Sequence, residues 1–88
     1  MSTDHDPAEA IGTVTHYFSH LSVAAVEVNG PLRVGERIHV KGHTTDLVQT
    51  VDSMQVDHTA IEQAQPGDDV ALHVDDHVRD RDKIYRET

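Results

Sequence analysis

The sequence contains no cysteine, no tryptophan, only three aromatic residues and two lysines. Without cysteine there is no disulfide framework, no thiolate metal site and no thiol nucleophile. No apolar run approaches the length of a membrane-spanning helix. The opening stretch, Met1 to Ala10, is polar and acidic, without the basic and apolar blocks of a secretory signal. It is expected to form a disordered acidic tail, and the default location is cytoplasmic. With 88 residues, one small domain over 11–88 must carry the stability.

Basic charge is equally scarce. Seven Lys and Arg stand against sixteen Asp and Glu, giving a formal charge of −9. Residues 1–10, 11–66 and 67–88 each carry −3, so no block forms a basic patch. Phosphate backbones are repelled at long range, which disfavours direct nucleic-acid binding. The one local cluster of cations is Arg79, Arg81, Lys83 and Arg86. A salt-adapted proteome and simple solubility both account for an acidic protein of this kind.

What the chain does contain is strand signal. Ile11 to Phe18 and Leu21 to Val28 are rich in Val, Thr, Tyr and Phe and read as two strands. In the second, Ala24, Val26 and Val28 share one face. Asn29-Gly30-Pro31 signals a turn. Ile38 and Val40 then alternate with Arg37, His39 and Lys41 in a half-buried strand. Asp46 to Asp57 is the longest extended run, and its inward phase switches between Val51 and Met54. A β-bulge near Asp52-Ser53 is the expected cause. Thr59 to Gln65 is compatible with one helical turn that places Ile61 and Ala64 inward. Pro66-Gly67 suits the centre of a type II turn. Val70, Leu72 and Val74 alternate in the next strand, Asp75 to Asp82 is a charged loop, and Lys83 to Arg86 adds a short final strand. About six short strands with turns every eight to twelve residues predict an all-β fold, a single small closed or nearly closed β-barrel.

The order of these signals resembles domain 2 of the elongation-factor-Tu type of translational GTPase. The residues that carry the likeness are Leu32-Arg33-Val34-Gly35-Glu36, Val51-Asp52-Ser53-Met54, and Ile61 to Asp68 ending in Pro66-Gly67-Asp68. Ile11 to Phe18, Ile38 to Asp46 and Asp82 to Arg86 extend it. They make the chain similar to translation elongation factor-like proteins and to the C-terminal domain of U32 family peptidase-like proteins. The resemblance implies a small barrel without a GTPase domain, and no G-x-x-x-x-G-K-[ST] phosphate loop is present. It also implies a glutamate that helps hold a terminal adenosine. The matching position here is Gln55.

Eight histidines raise a metal hypothesis. A structural zinc site needs three or four converging ligands. His16 and His20 lie four apart in an extended hairpin, His39 and His43 flank a turn, and His73 and His77 bracket an acidic loop. None is a metal-ligand spacing, so surface histidines are the expectation and no metal or cofactor is assigned. Asp68-Asp69 point to opposite faces of a strand and Asp75-Asp76 sit in a loop, so turn chemistry and solvation account for both pairs. No G-x-S-x-G or Ser-x-x-Lys context occurs. Of the aromatics, Phe18 is expected in the core, while Tyr17 is open between the core and a stacking surface.

The sequence therefore predicts a monomer that is not an enzyme, a binding module offering its barrel surface to a protein or ribonucleoprotein partner. The alternative is a stand-alone accessory domain for a U32-type peptidase-like enzyme. The candidate contact residues are His16, Tyr17 and His20 in the first hairpin, and Arg79, Arg81, Lys83 and Arg86 near the end.

Overall fold

The structure, a computed structural model, describes residues 10–87. The tail expected over residues 1–10 thus lies outside the described residues except for Ala10. The described chain is all-β, and no helix in it is long and apolar enough to cross a membrane. Ten short strands form: β1 (Gly12–Phe18), β2 (Val23–Val28), β3 (Leu32–Arg33), β4 (Arg37–Lys41), β5 (Asp46–Thr50), β6 (Met54–Val56), β7 (Thr59–Ile61), β8 (Gln63–Ala64), β9 (Asp69–His73) and β10 (Lys83–Arg86). Eight of them make one antiparallel sheet in the order β5-β4-β10-β1-β2-β9-β6-β7, and β3 pairs with β8 separately.

The large sheet curls around a core of small aliphatic side chains. Val26, Val28, Ile38, Val40, Leu72 and Ile84 are each at most 1% exposed. This interior matches the alternation expected of β2, β4 and β9. The connections around β3 and β8 close the gap between the sheet's edges. Val34 N–H donates to Glu62 C=O at 2.9 Å, Gly35 N–H to Val51 C=O at 2.8 Å, and Val51 N–H to Glu36 C=O at 2.8 Å. The result is the nearly closed barrel that the turn spacing foretold.

Three local expectations are corrected. The run Asp46 to Asp57 is two strands, β5 and β6, because both backbone groups of Val51 are drawn out of the ladder to Gly35 and Glu36. The residues Thr59 to Gln65 are β7 and β8 and not a helical turn. Asp57 and His58 both take positive φ (51° and 64°), making a two-residue hairpin that returns the chain alongside β6. Ile61 is still half-buried and Ala64 buried. The bulge falls not at Asp52-Ser53 but on β1, where Val14 pairs with Val26 and His16 already pairs with Ala25. The Pro66-Gly67 turn forms as expected, with Gly67 at φ 94° and Asp68 N–H donating to Gln65 C=O at 3.0 Å.

Candidate functional site: an apolar groove on the outer face

The bulge at Thr15 decides what the barrel shows to solvent. Strict alternation from the buried Val14 would turn His16 and Phe18 inward. One extra residue reverses the phase, so Tyr17 pairs with the inward Ala24, while His16 and Phe18 join the outer face. The inward placement expected of Phe18 is thereby overturned, and the residue is 38% exposed. His16 stacks edge-on against it at 4.5 Å between ring centroids.

Strand register then assembles two rows of side chains across the sheet. Directly paired residues share a face, so Phe18, Val23 and His73 form one row. His16, Ala25, Ala71 and Gln55 form the next. Between them lies a groove of about 360 Å³ lined by Phe18, Leu21, Val23, Ser53, Gln55, His58, Ala71 and His73. A second hollow of about 290 Å³ continues it past Ala25, Gln55, His58 and Ala71 to Asp57 and Asp69. Leu21, 58% exposed, and Phe18 give it an apolar floor. Gln55, singled out for its place in the elongation-factor pattern, stands exposed in this groove.

The expected contact residues do not form one site. Tyr17 and Arg79 come together on another part of the surface, in an open cleft with Ser19, His77, Val78 and Asp80. There Tyr17 meets the His77 ring edge-on at 4.7 Å. His16 lies at the groove. His20 is exposed in the β1–β2 connection, and Arg81 is exposed in the loop before β10. Lys83 donates from Nζ to Thr13 Oγ1 at 3.2 Å, tying β10 to β1. Arg86 donates from Nε to Glu36 Oε2 at 2.7 Å and from Nη2 to Pro31 C=O. Those two cations serve the barrel's own connections.

Two further clusters emerge only in the fold. His39, placed on the polar alternation of its strand, is buried at 8% exposure, with Nε2 against Asp46 and Nδ1 3.8 Å from Glu87. At the end of the groove His73 Nδ1 lies 3.0 Å from Asp52 Oδ2 and 3.9 Å from Asp75 Oδ1. Twenty-one residues separate Asp52 from His73, and only the β6–β9 pairing unites them.

No family model matches the sequence. Among curated proteins, the chain is 36% identical over 76 residues to an uncharacterized protease of Methanocaldococcus jannaschii, covering 85% of this chain and 19% of that protein. It is 35% identical over 78 residues to a collagenase of Porphyromonas gingivalis, covering 86% of this chain and 22% of the collagenase. The chain thus spans about a fifth of the length of these relatives. Among solved structures, the C-terminal domain of a Geobacillus thermoleovorans protein described as a U32 peptidase superposes with a TM-score of 0.87 at 17% identity, covering 98% of this chain and 100% of that one. Its selenomethionine form gives 0.83 at 18% identity, over 90% and 99% of the two chains. None of these matches supports the translation-factor side of the resemblance. The chain has the fold of a U32 peptidase C-terminal domain, and its sequence is related to part of a protease and part of a collagenase.

Proposed function

We propose that this chain is a non-catalytic binding module that serves a U32-type peptidase-like enzyme, and that the outer groove is the surface it offers. The observation that carries the reading is the groove itself: Phe18, Leu21, Val23 and Ala71 line a face that the core does not use. Fully covering one large apolar side chain contributes about 1.5–3 kcal/mol. Leu21 and Phe18 are the large apolar side chains that the groove offers a partner segment as anchors. Asp57 and Asp69 at the far end favour a segment that carries a basic residue beside its apolar ones. The same carboxylates oppose a phosphate backbone, so a protein partner is preferred to a ribonucleoprotein. Kinship with part of a named protease and part of a collagenase supports an enzyme as that partner.

The test is affinity capture from the protein's own cell extract, with and without RNase, using the native chain and the double variant Phe18→Ser/Leu21→Ser. The reading expects one peptidase-like enzyme recovered by the native chain in both samples and lost with the double variant. Partners that vanish on RNase treatment would replace it with a ribonucleoprotein role.

A further inference from the structure

We propose that Asp52, His73 and Asp75 form a binding site for one divalent transition-metal ion, of the zinc type, at the end of the outer groove. Histidine spacing in the sequence points to no metal site, yet the fold brings three donors of the right kind together. One ligand atom from each residue lies within 4.8 Å of the other two. The separations from His73 Nδ1 are 3.0 Å to Asp52 Oδ2 and 3.9 Å to Asp75 Oδ1. A tetrahedral ion with bonds of about 2.0–2.1 Å holds its ligands about 3.3–3.4 Å apart, a spacing that falls between these two separations. Two carboxylates with a neutral imidazole supply a charge of −2, which matches a divalent cation. The imidazole selects a borderline transition ion over calcium or magnesium, which prefer oxygen alone.

The arrangement of charge points the same way. Nδ1 of His73 carries at most one proton, and Asp52 accepts it through either oxygen, at 3.1 and 3.0 Å. Asp75 at 3.9 Å is beyond hydrogen-bond reach of the same nitrogen. Two like charges are thus held around a position that one proton serves incompletely and one cation would serve for both.

The backbone that carries the ligands is held by hydrogen bonds and by burial of its neighbours. Between His73 and Asp75, the Val74 side chain is 2% exposed in the core. Gln49, itself 4% exposed, grips both sides of it. Its Nε2 donates to His73 C=O at 2.9 Å, and its Oε1 accepts from Asp75 N–H at 2.8 Å. Asp52 follows the fully buried Val51, and His73 N–H reaches Ser53 C=O at 3.4 Å. Such support is what a preorganised site requires. The three side chains remain open to solvent on one side, with 57%, 39% and 59% exposure for Asp52, His73 and Asp75. At least one coordination position is left for water or for a donor atom from a partner seated in the groove.

Calorimetric titration of the tag-free chain with zinc, manganese and calcium ions tests the site, with proton–nitrogen NMR of the histidine rings as a second readout. The expected result is one zinc ion per chain, a selective change in the His73 ring signals, and at least tenfold weaker binding in Asp52→Asn, Asp75→Asn and His73→Gln. His20→Gln and His43→Gln should bind as the native chain does. Amide spectra of the variants establish that each is folded. Absence of saturable zinc binding, equal affinity in the three ligand variants, or calcium bound more tightly than zinc would overturn the proposal.

Discussion

Strand β9 and its neighbours β2 and β6 present two faces built from the same strands by opposite rules. On the inner face, Val26 meets Val70, and Ala24, Leu72 and Met54 meet across three strands, all at 3% exposure or less. On the outer face, Ala25, Ala71 and Gln55 line up beside Phe18, Val23 and His73. The inner set is uniform, aliphatic and closed. The outer set mixes small apolar, aromatic, imidazole and amide groups around a groove that none of the described residues fills. The difference teaches that the inner face supplies the hydrophobic core, which leaves the outer face available for recognition.

Four substitutions break or sharpen that contrast. On the inner face, Leu72→Ala leaves a cavity between β2, β6 and β9 and should cost about 2–5 kcal/mol, read as a lowered midpoint in urea unfolding. At the barrel's end, Gly42→Ala would put a methyl group 1.8 Å from Asp82 Oδ1. Asp82 is 4% exposed and its Oδ2 accepts from Arg79 N–H at 2.8 Å, so it yields only by losing that contact. The expected loss is about 1–3 kcal/mol, seen as a drop in thermal midpoint. At the rim of the groove the sign should reverse. His58 sits at φ 64°, a conformation that costs a side chain about 1–2 kcal/mol, so His58→Gly should stabilise the fold by about 1 kcal/mol in chemical denaturation. If it also weakens capture of the partner, His58 is held in strain for recognition. On the groove floor, Leu21→Ser should change stability by no more than about 0.5 kcal/mol while reducing partner capture. A large loss of stability there would show that the outer face belongs to the folding core after all.

Much of the barrel was legible because period-two alternation and turn chemistry are local. Ala24-Val26-Val28, Ile38-Val40 and Val70-Leu72-Val74 announced their buried faces, and Pro66-Gly67 announced its turn. Where alternation failed, the cause was a backbone event without a sequence mark. Thr15 is an ordinary strand residue, yet the bulge beside it moved Phe18 from core to surface. Asp57-His58 lacks the glycine that usually marks a two-residue hairpin, so the residues of β7 are also compatible in sequence with the start of a helical turn. His39 alternates with Ile38 and Val40, but its strand lies inside the sheet between β5 and β10, and it is covered on its outer side as well.

The site was less legible than the barrel. Of the residues singled out for contact, His16 borders the groove, and Tyr17 and Arg79 meet elsewhere. Lys83 and Arg86 are engaged with Thr13, Glu36 and Pro31. Proximity in sequence grouped cations that the fold distributes along a strand and its preceding loop. The groove residues come instead from β1, the β1–β2 connection, β2, the β5–β6 connection, β6, the β6–β7 turn and β9. No window of sequence contains them.

The sequence by itself determined a small all-β barrel without cysteine, its main alternating strands, its acidic balance and its Gly67 turn, because each depends on neighbours a few residues apart. The tertiary structure alone decided the outer groove and the meeting of Asp52, His73 and Asp75. Register sets both, with one β-bulge shaping the groove, and these are settled by pairing between distant strands, where the shift of a single residue exchanges the face that is buried for the face that is shown.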